Sequence, residues 1–209
     1  KIKAIKIENS GEVIGINTEM LFKVIDCWKD GQEITIYTNN KKSNRLFIDF
    51  TGENKPLKKF ELPLIDIDSD ILEIPEKEYE VDLALKSNEF KELVSELAIF
   101  NNTINFTCNS SEEKVYIKAD GELGTMNVEI TDKDIFEFNI LENLNLSVTY
   151  AISYICTMCN FSRINDDVYI HSSGDVPLKL HYSFDDKNSE ESENYIRFYL
   201  APKFDDDEF

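Results

Sequence analysis

Long apolar runs are missing from this sequence: no 18 consecutive apolar residues occur in it, so no stretch reads as a membrane-spanning helix. Glycine is scarce, seven in 209 residues, and neither a Gly-rich phosphate loop nor a nucleophile motif can be assembled. There are two histidines, His171 and His181, each alone on an alternating segment, the pattern of core or surface neighbours rather than catalysts. Four cysteines, Cys27, Cys108, Cys156 and Cys159, are too few and too scattered for a disulfide framework and point to a reducing compartment. Positive charge is also short. With 22 Lys and Arg against 41 Asp and Glu the formal charge is -19, which argues against adhesion of the whole surface to nucleic acid or anionic membrane but leaves room for a small basic face.

The remaining chemistry-bearing groups are weak signals. Cys156 and Cys159 have C-x-x-C spacing, yet zinc needs two more ligands, and Cys27, Cys108, His171 and His181 offer no second pair at ligand spacing. Small apolar residues three apart on a helix face account for the pair, and a metal or redox protein is kept as a remote alternative. The acidic pair Asp66 and Asp68 and the run 205–208 read as solvated, since dense like charge in a flexible segment repels rather than poising a general acid. Five N-x-S/T sequons begin at Asn101, Asn105, Asn109, Asn145 and Asn160, but without an export signal they do not read as glycan sites. No enzyme and no cofactor is expected. The chain opens at Lys1 directly on strand-like sequence, with no signal peptide and no Met, and is expected to be truncated.

What the sequence does have is repetition. Residues 1–7 alternate as a strand, 13–16 start another, and Asn17, Thr18 and Glu19 cap a helix with Leu21, Val24, Ile25 and Trp28 at helical spacing. Residues 33–38 and 45–50 follow as an alternating hairpin. The pattern returns with a strand at 80–85, a helix from Ser87 whose apolar face is Phe90, Leu93, Val94, Leu97 and Phe100, and strands at 104–108, 115–119 and 125–130. Further strands are expected at 136–140 and 145–148. A third copy has a helix over 149–161 bearing Ile152, Ile155, Cys156 and Cys159, then strands at 168–170, 178–184 and 195–200. Between the first copy and the rest lies 60–80 (FELPLIDIDSDILEIPEKEYE), which reads as neither helix nor strand. Pro63 and Pro75 favour an extended strap, and Leu64, Ile65, Ile67, Ile71, Leu72 and Ile74 give it one apolar side between Asp66, Asp68, Asp70 and Glu73. One unit stands before this connector and two after it, so if each half is to hold two units, about fifty residues are expected to be missing upstream of Lys1.

LEIPEKEY (72–79), SNEFKELVSEL (87–97), KADGELGTMNVEI (118–130), DVPLKLHY (175–182) and YIRFYLAPKFDDDE (195–208) resemble, collinearly, the proliferating cell nuclear antigen (PCNA) family of eukaryotic-type DNA sliding clamps. The resemblance implies an α+β DNA clamp (processivity) fold of two pseudo-repeated domains, with antiparallel sheets outside and helices lining a ring of three subunits. The domains would be 1–57 (a partial first clamp domain), 58–79 (the interdomain connector) and 80–209 (the second clamp domain). It implies a replication and repair role: a processivity factor that encircles duplex DNA and, with a clamp loader, tethers DNA polymerase and other proteins bearing PIP-box motifs. The matching partner-peptide residues are Leu72, Ile74, Pro177, Tyr199, Leu200, Ala201, Pro202 and Lys203, a shallow apolar site suited to a short helical turn. DNA-facing positions would be Lys23, Lys29 and Lys91, set against Asp26, Glu92 and Glu96, so the hole looks weakly positive. Subunits would join through strands mapped to 45–50 (Leu46, Phe47, Ile48, Asp49 and Phe50) and 125–130 (Thr125, Met126, Asn127, Val128, Glu129 and Ile130). Ser110 stands where the family commonly carries a modified lysine, so that modification is unsupported. Localisation would be nuclear, or at a viral replication site. The alternative is one subunit of a specialised or hetero-trimeric clamp.

Overall fold

The structure, a computed structural model, describes residues 14–38, 44–66, 78–185 and 193–203. The chain divides into two compact units, Lys1–Glu73 and Ile74–Phe209.

Among the described residues of the first unit, one helix precedes a three-stranded antiparallel meander. Helix α1, Thr18–Asp26, starts where Asn17 turns extended and accepts a hydrogen bond from the Met20 N–H at 3.0 Å, an N-cap that satisfies one orphan donor. Strands β1 (Glu33–Thr38), β2 (Arg45–Thr51) and β3 (Lys58–Pro63) pair in that order. Val24 of the helix packs with Ile34, Leu46, Ile48, Phe50 and Leu62 on the sheet's inner face. β3 corrects the reading of 60–80 as strandless: Phe60 and Leu62 turn inward while Lys59 and Glu61 are exposed, the alternation of a half-buried strand. The proline signal misled because Pro63 sits where a strand tolerates it. Leu64 N–H donates to Asn44 O at 3.0 Å, so by antiparallel alternation the even-numbered residues of β3 bond to β2 and the odd-numbered ones point away. The missing donor of Pro63 therefore faces outward. Residues 1–7 and 67–77, including most of the expected strap, lie outside the described residues.

The second unit contains β4 (Val81–Lys86), α2 (Ser87–Leu97), β5 (Thr103–Asn109), β6 (Lys114–Gly121), β7 (Gly124–Ile130), β8 (Glu137–Ile140), β9 (Asn145–Ala151), α3 (Ile152–Met158) with a 3-10 turn Cys159–Arg163, β10 (Asp167–Ser172), β11 (Leu178–Ser183) and β12 (Tyr195–Leu200). The strands form two antiparallel sheets, ordered β12-β11-β10-β4-β8 and β7-β6-β5-β9. Each helix is followed by a three-stranded meander, but the strand preceding each helix joins the other helix's meander: β4 pairs with β10, and β9 with β5. This exchange locks the two repeats into one core. Leu83, Leu97, Ile117, Ile155, Leu180 and Tyr182 are fully buried there, each side chain contributing about 1.5–3 kcal/mol relative to exposure. The third helix starts later than expected, because β9 runs through Thr149 and Tyr150 to Ala151. Val148, Thr149 and Tyr150 favour a pleated surface, and the ladder from Thr103↔Ala151 to Asn109↔Asn145 holds them there.

Candidate functional site

Three surfaces carry the residues singled out from sequence. The first comprises the strands expected to join copies, 45–50 and 125–130, and the sheet edges near them. β2 is not an edge: it pairs with β1 on one side and β3 on the other, so its backbone groups are already satisfied. Leu46, Ile48 and Phe50 point into the core. On the opposite face Phe47 stacks on Tyr37 at 5.3 Å and Asp49 accepts from the Tyr37 hydroxyl at 3.4 Å. The expected joining of copies through 45–50 is therefore corrected: β2 has no free edge to offer, and the edges of this sheet among the described residues are β1 and β3. β3 pairs, among the described residues, only with β2, and its outward positions are Lys59, Glu61 and Pro63. The sequence misled because β2 alternates more cleanly than β3.

β7 is an edge as expected, bonded to β6 alone among the described residues. The two-residue turn of Glu122 and Leu123 makes Gly121 and Gly124 a bonded pair, and alternation then leaves the backbone groups of Thr125, Asn127 and Glu129 facing outward. Met126 and Val128 are half-buried on the inner face, Ile130 is buried, and Glu129 is held by Lys114 at 2.5 Å.

The second surface lies at the end of β12 and the β10–β11 turn. Tyr199 and Leu200 are half-buried on β12, an edge strand. Ala201, Pro202 and Lys203 continue it, and the Lys203 N–H donates to Thr149 O at 2.8 Å, tying the segment to β9. Pro177 is positioned by Tyr79, whose hydroxyl donates to its carbonyl at 3.2 Å. The Tyr79 ring lies 5.3 Å from that of His171, which sits 2.5 Å from Asp82 through Nδ1, and the Lys179 ammonium lies 5.0 Å over Tyr79. Glu80 accepts from Ser173 Oγ at 2.9 Å and from Gly174 N–H at 3.0 Å. Burial first, then the neighbouring Tyr199 phenol, pushes the Tyr79 phenol up to about 12. Tyr79 and Glu80 were thus missed as organisers of this surface although both stand at the end of the connector stretch. Leu72 and Ile74, expected to complete it, lie outside the described residues.

The third surface is helical. Lys23 is exposed and paired with Glu19 at 2.7 Å one turn away, and Lys29 is exposed beyond α1. Lys91 is half-buried on α2, whose exposed positions include Glu89, Glu92 and Glu96. α3 carries no charge at all, and Arg163 in the 3-10 turn is its nearest cation in sequence. Carboxylates outnumber cations on these helices. Cys156 and Cys159 bracket the end of α3; burial, and then the neighbouring Cys156, pushes the Cys159 thiol up to about 12, and burial also raises Cys156. Thiols held protonated in this way are poor ligands and poor nucleophiles. Among the described residues no group of three or more His, Cys, Asp and Glu side chains is placed to hold a metal ion.

Residues 73–203 match the family profile described as Proliferating cell nuclear antigen, C-terminal domain. Over 200 residues, covering 93% of this chain and 74% of the relative, the sequence is 28% identical to the proliferating cell nuclear antigen of Chaetomium thermophilum. It is 26% identical over 197 residues to proliferating cell nuclear antigen 2 of Drosophila melanogaster, covering 94% of this chain and 74% of that one.

Proposed function

The chain belongs to the proliferating cell nuclear antigen family of DNA sliding clamps, and from that membership we propose that three copies close into a ring that encircles duplex DNA and tethers replication proteins to it. The clamp fold and a processivity role in DNA replication and repair come with the family, which is non-enzymatic. The ring, the threaded duplex and the tethered partners are the proposal.

Two domains joined by a connector are assigned within it. The connector begins after β3 rather than at residue 58, since Lys58–Pro63 is part of the first domain's sheet, and it ends at Glu80. Copies join through the free edges of β3 and β7, each of which would otherwise be an exposed template for unspecific pairing. Partner peptides of the PIP-box type, DNA polymerase among their carriers, dock against Pro177, Tyr199, Leu200, Ala201, Pro202 and Lys203; Leu72 and Ile74, outside the described residues, are assigned to the same role. The observation that supports this docking surface most is the anchoring of Pro177 by Tyr79, which prepares one wall before any peptide arrives. A clamp loader places the ring on DNA in the nucleus, or at a replication site if the chain is viral.

Lys23, Lys29 and Lys91 are assigned to face DNA. Because Glu19, Asp26, Glu89, Glu92 and Glu96 lie on the same two helices, attraction to phosphate is small and retention depends on closure of the ring. That charge balance also favours a second reading, one subunit of a specialised or hetero-trimeric clamp with weak direct DNA contact. The deciding experiment loads the full chain onto nicked circular and linear duplex and raises the salt. Salt-resistant retention on circles with rapid loss from linear ends is the expected result. Tight, steeply salt-dependent binding to linear DNA would overturn it, since each neutralised phosphate adds to the salt slope. Light scattering of the protein alone, and of mixtures with other clamp subunits, separates the homo- from the hetero-trimer.

A further inference from the structure

The two units differ in charge far more than in size. Lys1–Glu73 holds 11 basic and 13 acidic residues, whereas Ile74–Phe209 holds 11 basic and 28 acidic ones. Two second units of different copies repel one another, and a first unit is the better neighbour for a second unit. Three cations of the first unit, Lys55, Lys58 and Lys59, stand at or just before the start of β3. Lys55 and Lys58 there donate to the carbonyls of Asp30 and Cys27 rather than to carboxylates, so their charge is not cancelled locally. Lys59, next along the edge, is exposed.

Building on the ring reading, we infer that β3 of one copy pairs antiparallel with β7 of the next in a single register, Lys59 opposite Glu129, so that assembly is set by a cross-copy ion pair. The backbone phase restricts the choice. Outward groups belong to Lys59, Glu61 and Pro63 on β3 and to Thr125, Asn127 and Glu129 on β7, and a ladder forms only when outward residues oppose one another. Slips of two residues are therefore the alternatives. Sliding one way sets Glu61 opposite Glu129, a like-charge pair. Sliding the other way sets Leu62 opposite Gly124 and shortens the ladder.

The remaining register aligns Glu61 with Asn127 and Pro63 with Thr125 on the exposed face. On the inner face it joins the half-buried Phe60 to Val128, and Leu62 to Met126. Pro63 faces Thr125 at the last rung, where the donor it lacks is least missed. Across the junction, Asp49 on β2 already stands beside Lys59, and Lys114 already grips Glu129. The new pair thus joins a row of alternating charge that runs from one sheet into the next, and such a network orders its members more than an isolated surface pair does.

The test measures association of the full chain by sedimentation at low and high salt for the parent, Lys59→Glu, Glu129→Lys, the double swap and Glu61→Lys. Each single reversal should weaken association by roughly tenfold per interface, and the double swap should restore it to within about threefold. Glu61 faces neutral Asn127 across the junction and pairs only with the exposed Arg45 of its own sheet at 3.4 Å, a surface pair of small worth, so Glu61→Lys should change association little, and association of the parent should weaken as salt rises. A trimeric parent with silent reversals, or without rescue in the double swap, would overturn the register while leaving the ring. Tighter association of Glu61→Lys would identify the slipped register instead. A dimer sensitive to Lys59→Glu but not to Glu129→Lys would mean that β3 pairs with itself. A parent that remains monomeric at every concentration would overturn the ring reading and this inference together.

Discussion

Gly121 closes β6 with the Phe100 carbonyl packed over its α-carbon, so Gly121→Ala isolates one contact between the end of α2 and the hairpin that leads into β7. A β-carbon there would lie within the van der Waals shell of the Phe100 oxygen and 3.0 Å from its carbonyl carbon. The obstacle is backbone, which cannot rotate aside as a side-chain tip can. Overpacking in a well-packed region costs about 1–3 kcal/mol, and the top of that range applies when nothing flexible can yield. In a chain of this size each kcal/mol corresponds to about 2–4 °C, so a fall in melting temperature of about 6–12 °C is expected. Calorimetry and urea titration give the two numbers independently. Gly174→Ala serves as the control, because its β-carbon would meet only Leu146 and Glu80 side-chain atoms at 3.6 and 3.9 Å, ordinary contact distances. A Gly121→Ala protein that melts within a degree or two of the parent, or a control that falls equally far, would refute the packing argument. Because Glu122, Leu123 and Gly124 lead from Gly121 into β7, the same change should also loosen association.

Tyr79→Phe removes the hydrogen bond to Pro177 while keeping the ring, and should weaken binding of a PIP-type peptide by about three- to tenfold in calorimetric titration without unfolding the chain; unchanged affinity would release Tyr79 from its positioning role. On the alkaline side, burial raises the Cys108 thiol to about 11 and the Cys159 thiol and Tyr79 phenol to about 12. The folded state then holds protons that the unfolded chain has already released. Stability should be level below about pH 9 and fall between about 9 and 12, as followed by circular dichroism, and a rise over that interval would contradict the burial of these groups. Replacing Glu92 and Glu96 together by Lys should raise affinity for linear duplex and steepen its logarithmic salt slope by up to about two to four, according to how many of the lost carboxylates and gained cations act on phosphate. An unchanged slope would move DNA contact away from α2.

Legibility in the sequence followed the strength of the local period. α1 was readable because Asn17 is a true N-cap and Leu21, Val24 and Trp28 repeat at helical spacing. α2 was readable through Phe90, Val94 and Leu97, all of which are buried. The start of α3 was not, because Thr149 and Tyr150 fit either period locally and only pairing with β5, some 45 residues away in sequence (Asn105↔Thr149), decides. β3 was hidden behind a proline whose tolerance depends on which edge of the strand faces its partner, a property of register that no local pattern encodes. The same limitation put the expected joining strand at β2, which lies in the middle of its sheet: alternation reveals that a strand is half-buried, but whether it lies in the middle of a sheet or at its edge is a matter of topology. Tyr79 and Glu80 lay in plain view, yet their partners Pro177, Ser173 and Gly174 are more than 90 residues away.

The exchange of strands between the two repeats has a consequence for how the second unit comes into being. β4 pairs with β8 on one side but gains its other neighbour only when β10 arrives, with Asp82 meeting His171 across 89 residues of chain. A growing polypeptide therefore presents β4, α2 and the β5–β7 meander while β4 still lacks β10, and loop closure over such a span is entropically slow. Neither repeat is a foldable half. Cutting between β8 and β9 should yield two fragments that are each unstructured and recover the fold on mixing, the first lending β4 with β8 and the second lending β9. The pairing of β4 with β10 and of β5 with β9 thus has the form of a strand swap held within one polypeptide.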